Sequence, residues 1–284
     1  QTLTRVQNDF DILTSANTNP ELQKIQEAMA PKLAAHSDAI YLDDKLFQRV
    51  KAVYDQRDSL NLDPESRRLL EWKYQQFVHH GAKLSDADKT RLKKLNKELS
   101  TLSAQFNNKL LDGTKAGALI VSDKDKLAGL SQGELDAAVE AAKARNLDGK
   151  WVLPLQNTTQ QPALADLSNR DVRHELFQHS WTRTEKGDNN DTRKTIAKLA
   201  KLRAEKGKLL GFDNYAAWKL SNQMAKTPEN VFKFVRALVK PTNDKARAEA
   251  GELQAAIKAD GKDFKLQPWD WEYYAQKVRK AKYD

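Results

Sequence analysis

Apolar residues recur at three- and four-residue steps through most of this chain, and each such run is bracketed by residues that start or stop a helix. In "LDPESRRLLEWKYQQFVHHG", Asp63 is placed to cap and Pro64 takes the first helical position, where its missing N–H costs nothing. Gly81 then suits the left-handed position past the last turn. "LSDADKTRLKKLNKELSTLSAQFNNKLLDG" opens with Ser85 and Asp88 at capping-box spacing, then sets Leu92, Leu95, Leu99, Leu102, Phe106 and Leu110 on one stripe. A stripe so narrow and long predicts a helix packed along one face by other helices. "SQGELDAAVEAAKARNLDG" repeats the device with Ser131, Glu134 and a closing Gly149. "LSNRDVRHELFQHSWTR" does so with Ser168 and Asp171, and "KTPENVFKFVRALVK" opens on Thr227 and Pro228.

Two stretches break the helical period. "GALIVS" (117–122) and "KWVLPLQ" (150–156) are short, apolar or β-branched, and bounded by Gly, Asp and Asn. They predict a minor antiparallel pair on a helical body. The polar run "NTTQQPAL" follows the second stretch, so Asn157, Thr158, Thr159, Gln160 and Gln161 are expected on a loop. Five successive hydrogen-bonding side chains suit ligand contact, and with no titratable group among them binding is the most they offer. Linkers, low-complexity segments and sequence repeats are absent, so residues 1–284 read as one unit of mainly α class with a small antiparallel β element.

The chain closes on "PWDWEYYAQKVRKAKYD", with five aromatic residues. Asp270 is placed to cap a helix that starts at Trp271, and Trp271, Tyr274 and Val278 then share a face.

Charge adds a possible partner class. Lys and Arg outnumber Asp and Glu by 48 to 39, a formal net charge of +9. The excess lies beyond residue 60, since residues 1 to 60 hold seven basic and nine acidic groups. Such an excess brings partners of negative charge, nucleic acid included, into consideration. In "RLKKLNKEL" and "KTIAKLAKLRAEKGK", however, the basic residues alternate with apolar ones at helical spacing, the pattern of an ordinary solvated helix face. No nucleic-acid partner is expected. No apolar run approaches the roughly 18 residues that would span a membrane. There is no cysteine, which excludes disulfides, thiolate metal sites and a cysteine nucleophile and fits cytoplasm or periplasm equally. "QTLTRVQNDF" lacks an initiator Met, a basic start and an apolar stretch, so the chain is expected to follow some earlier sequence.

Candidate chemistry is thin. "RHELFQH" begins like the zinc motif H-E-x-x-H, but His174 and His179 stand five residues apart, about 140° around a helix, whereas an i, i+4 pair lies about 40° apart and shares a metal. They are expected to be ordinary helix-surface or boundary histidines. His79 and His80 end a helix, where a cationic or hydrogen-bonding side chain suits the negative end of the dipole. Asp43, Asp44, Asp123 and Asp125 sit in turns, where Asp bonds to nearby backbone N–H groups. "KGKLLGF" has two glycines in a helical context, not a phosphate loop. No catalytic or metal-binding residue is expected in the chain.

Four segments together resemble the thimet oligopeptidase and neurolysin family of zinc peptidases. "LLGFDNYAAWKLSNQMAKTPENVFKFVRALV" (209–239) resembles a family helix pair, and "QPWDWEYYAQKVRKAKYD" its Trp-Asp-x-x-Tyr-Tyr signature. "WVLPLQNTTQQPAL" and "LFQHSWTR" look most like the bacterial dipeptidyl carboxypeptidase branch. The resemblance implies a multi-helix lobe of a neurolysin-like peptidase, taken from the N-terminal portion. The His-Glu-x-x-His segment and downstream Glu that hold zinc in the family, the metal whose bound water attacks the peptide carbonyl, have no counterpart here. This portion is therefore expected to bind no zinc and to hydrolyse nothing alone. Implied partners are short peptides, from whose C-termini the branch removes dipeptides, and the missing C-terminal catalytic half. Asn157 to Gln161 become candidates for a substrate-channel wall, and Trp269, Trp271, Tyr273 and Tyr274 for docking on the missing half. Two alternatives stand beside this one: an endo-acting oligopeptidase of the same family, and a freestanding basic helical module that binds RNA or protein.

Overall fold

A computed structural model describes residues 2–283. In chain order the helices are α1 (Thr2–Ala16), α2 (Pro20–Tyr41), α3 (Asp44–Asp55), α4 (Pro64–His79) and α5 (Asp86–Ala116). Strand β1 (Leu119–Val121), α6 (Gln132–Lys143), strand β2 (Trp151–Leu153), α7 (Asn157–Asp166) and α8 (Arg170–Trp181) follow. The chain continues through α9 (Arg193–Leu209), α10 (Tyr215–Leu220), α11 (Pro228–Ala259) and α12 (Trp271–Tyr283). The chain is mainly α, and its one sheet among the described residues is the expected antiparallel pair, in register Leu119 with Leu153, Ile120 with Val152 and Val121 with Trp151.

The chain folds as two compact units, each built from two stretches of sequence. The first takes the chain up to Asn108 together with Lys194–Val231, and the second takes Lys109–Arg193 with the chain from Phe232 on.

The first unit is a helical packing around rings. Phe47 of α3 and Phe77 of α4 are buried with Ala82, and Tyr41 and Tyr74 pack against them. The Tyr41 ring meets Phe77 edge-on at 5.2 Å between centroids, a favoured aromatic arrangement. Leu92 and Leu95 of the α5 stripe are buried in the same unit, as are Leu199 and Leu202 of α9. At the end of α4, His80 Nδ1 lies 2.7 Å from the Gln76 carbonyl, which is the expected end-of-helix hydrogen bond. His79 differs from the cationic cap that its position suggests. Its ring stacks on Trp218 at 4.7 Å, and burial, joined by the nearby His80, Lys219 and Lys206, pushes its pKa down to about 4. It is neutral at pH 7.

The second unit holds the sheet. Leu119, Val121, Leu127, Leu153, Leu164, Leu167 and Leu176 form its main core, drawn from β1, β2, α7, α8 and the turns between them. A smaller core joins Leu253 and Ile257 of α11 to Tyr274 of α12.

The caps at Asp63, Ser85, Ser131 and Thr227 form as read from the sequence, with a full capping box at Ser131 and Glu134. Three expectations are corrected. The cap of α8 is Asn169 in place of Ser168, accepting from the backbone of Asp171 and Val172 at 3.0 and 3.2 Å. Helix α6 stops at Lys143, well before Gly149, because Asn146 already takes the left-handed conformation at φ 58°. The polar run after β2 is not a loop but the helix α7. Asn and Thr are weak helix formers and Gln156 supplies no side-chain cap, yet Ala163 and Leu164 are buried there, and α7 packs on α8 and α12. Tertiary burial overrides the local preference.

Candidate functional site

The run 157–161 belongs to the second unit, and its helical geometry divides the five residues. Successive residues on a helix turn by about 100°, so side chains adjacent in sequence face different ways. Thr158 and Thr159 line a cavity of about 350 Å³ beside α6 and β2, while Gln160 and Gln161 line a groove of about 520 Å³ bordered by α8 and the start of α12. Asn157 lines neither.

The groove is the better-built of the two. One wall is an aromatic ladder on α8, whose positions 174, 177 and 181 recur at three- and four-residue steps. Phe177 stacks on Trp181 at 5.6 Å and 14°, and Trp269 lies against both Phe177 and His174, at 6.1 and 4.1 Å. Trp181 is 74% exposed, an unusual cost for so large an apolar surface. The polar lining is mutually held. Gln160 Oε1 accepts from Ser180 Oγ at 3.0 Å, and Ser180 Oγ accepts from Arg183 Nη1 at 3.2 Å. Arg183 and Glu272 bring one charge of each sign to the groove. Stacking faces, amide groups and opposite charges suit an extended polar ligand with apolar side chains. What this lining offers a ligand is contact surface and hydrogen bonds.

The aromatic segment is fixed to α8 by a buried ion cluster that the sequence did not disclose. Asp270 is 0% exposed and does not cap α12 as expected, since a short 3₁₀ turn, Pro268–Asp270, precedes that helix. Its carboxylate accepts from Arg170 Nη2 at 2.9 Å, Arg173 Nη2 at 3.0 Å and the Gln267 backbone at 3.2 Å. Arg173, 2% exposed, also donates to the Leu167 carbonyl at 2.7 Å and lies over the Tyr273 ring at 4.2 Å. Tyr274 is buried within this unit, and Trp271 and Tyr273 are half-buried against the same small core. Of the four aromatic candidates, Trp269 alone reaches the groove's ladder, and its Nε1 is buried without a hydrogen-bond partner among the described residues.

His174 and His179 do not converge. His174 faces Trp269, and His179 Nδ1 lies 2.9 Å from the Gly117 carbonyl. Among the described residues no group of three or more His, Asp or Glu is placed to hold a metal ion, so the donor set does not fit zinc. Asp43 and Asp123 cap short helices, and Asp44 pairs with Lys89. Among the described residues no helix is long and apolar enough to cross a membrane.

Residues 163–284, which carry α8, the ladder and the Asp270 cluster, match the model of peptidase family M3. Across 282 residues the chain is 49% identical to dipeptidyl carboxypeptidase of Escherichia coli, covering 99% of this chain and 41% of that protein. The dipeptidyl carboxypeptidase of Salmonella typhimurium is 50% identical over 281 residues, with the same coverage. Residues 163–284 carry a peptidase family M3 sequence. Oligopeptidase A of Escherichia coli, at 29% identity, also aligns with 99% of this chain and with 42% of its own length. The chain thus spans about two fifths of the length of the relatives it matches.

Proposed function

We propose that this chain is the non-catalytic helical portion of a zinc peptidase that releases dipeptides from the C-termini of short peptides, and that the groove beside Gln160, Gln161 and Trp181 faces the substrate. The observation that carries the reading is whole-chain identity near one half with two dipeptidyl carboxypeptidases, joined to a groove whose lining suits an extended peptide. In this reading zinc and the groups that use it belong to the remainder of the parent, and the chain works in cytoplasm or periplasm.

The remainder of the parent also needs a surface to rest on. Helix α11 offers one in Phe234, Val235 and Leu238, which are exposed at three- and four-residue steps, with Phe232 and Val239 beside them. Trp269, Trp271 and Tyr273 remain docking candidates for the same role. Tyr274, 2% exposed, has its ring committed to its own unit.

The test uses a protein that carries this chain together with the rest of the length its relatives have. Trp181→Ala and Gln160→Ala should each raise KM for an N-blocked tripeptide several-fold with kcat unchanged, the mark of lost substrate binding. An unchanged KM in both variants removes the groove from substrate binding. Release of an intact C-terminal dipeptide supports the exo-acting reading, and internal cleavage transfers it to the endo-acting oligopeptidase. Hydrolysis by the purified 284-residue chain alone would overturn the non-catalytic assignment.

A further inference from the structure

The first unit contains a cluster of ionisable groups that the groove of the second unit does not use. Asp38 of α2, buried, accepts from Asn96 Nδ2 at 2.7 Å, and Asn96 Oδ1 accepts from Lys206 Nζ of α9 at 2.7 Å. The ammonium therefore reaches the carboxylate only through a neutral amide. Its other neighbour is the Trp218 ring, with Nζ 4.6 Å from the centroid. Among the described residues, neither Lys206 nor Arg203 has a carboxylate within ion-pair distance, yet both line one cavity of about 300 Å³ together with Ser100 and Tyr215. Two cations without a paired acid at one concave site constitute an anion's coordination set.

We propose that this cavity binds a small monocarboxylate through Lys206 and Arg203. The ligand is either a free organic acid or the C-terminal carboxylate of a short peptide. One charge is the right number, because Asp38 also borders the cavity and repels a second. The charged and titratable groups around Lys206 and its neighbour Asp38 are His79 and His80 from the end of α4, Lys93 from α5, which acts on Asp38, Arg203 and Tyr215, which line the same cavity, and Lys219 from α10. Burial lowers the Lys206 pKa to about 8, against a partial opposing pull from Asp38. A seated carboxylate compensates the buried ammonium and drives that value back up.

The test is calorimetric titration of the 284-residue chain at pH 7 with propionate, with dialanine and with dialanine amide, followed by mass-spectrometric mapping of lysine acylation with and without each. Saturable binding of propionate, of dialanine or of both, with no binding of the amide, is expected, and the pattern separates free acid from peptide terminus. Bound ligand should slow acylation of Lys206 at least tenfold while other lysines react as before. Arg203→Gln, at an exposed position where folding is not in question, should weaken binding at least fivefold, and Lys206→Met should abolish it in a chain of unchanged circular dichroism. The absence of saturable binding, equal binding of the amide, or undiminished binding by Arg203→Gln each overturns the site. None of these results bears on the groove, so failure here leaves the peptidase reading intact.

Discussion

Replacing Asp270 by Asn tests the linkage between the aromatic segment and α8. Asp270 is fully buried between a guanidinium that is 2% exposed, Arg173, and one that is about a third exposed, Arg170. Asn keeps the shape and removes the charge, leaving Arg173 with two backbone carbonyls and no counter-ion. Removing one partner of a buried ion pair costs roughly 3–5 kcal/mol, because the other charge stays buried without compensation. In a unit of roughly 140 residues each kcal/mol moves the midpoint by about 3–4 °C, so Asp270→Asn should melt on the order of 10 °C below the parent chain. Scanning calorimetry of both proteins at pH 7 measures it. Near-ultraviolet dichroism from Trp269 and Trp271 reports whether the lost transition is that of the second unit. The double variant Arg173→Met with Asp270→Leu removes both charges and should recover most of the loss, since apolar replacement of a whole buried pair is close to neutral or stabilising. A drop under about 1 kcal/mol for Asp270→Asn, within the range of ordinary surface substitutions, would show that water or an alternative acid compensates Arg173 and would refute the reasoning.

Three further outcomes follow from local side-chain environments. Gly129 stands at φ +102°, and a Cβ there would lie 2.0 Å from the Asp166 carbonyl oxygen, so Gly129→Ala should lose at least about 2 kcal/mol in urea denaturation; Gly133→Ala, with nothing within 4 Å, should be neutral or gain up to about 1 kcal/mol. His79 has a folded-state pKa of about 4 against 6.5, so the unfolded chain takes up the proton first, and the stability present above 6.5 is lost as pH falls from 6.5 towards 4. His79→Gln should flatten that loss in thermal scans at pH 7 and pH 5, and identical slopes in the two proteins would contradict it. Phe234→Ser with Leu238→Ser should reduce self-association of the isolated chain in sedimentation velocity without changing its helix content, since both side chains are exposed.

How much of this was legible in the sequence depended on the range of the interaction concerned. Caps at Asp63 and Ser131 act over three residues and were read from spacing alone. The strand pair at 119–121 and 151–153 was visible because a short apolar run between turn residues is a local signal. The helix at 157–166 was hidden because its own residues argue against it, and what decides its form is burial against α8 and α12, separated from it by a turn and by a hundred residues. Asp270 shows the same limit at one atom. Its position before a helical run reads as a cap, and the two arginines that claim its carboxylate lie 97 and 100 residues away. The groove combines both cases. Phe177 and Trp181 stand four residues apart on "LFQHSWTR", so their stacking was within reach of a helical reading. Gln160 and Glu272 reach the same groove only after α7 and α12 have packed, and no local pattern carries that convergence. A groove assembled in this way owes its shape to packing, so the substitution most damaging to its proposed substrate role is predicted to lie outside it, at Asp270. The carboxylate does not line the groove but ties the turn that carries Trp269 to Arg170 and Arg173 of α8, which makes Asp270→Asn a positioning variant: under the proposed substrate role it should raise KM together with the loss of stability, and Trp181→Ala should raise KM without it.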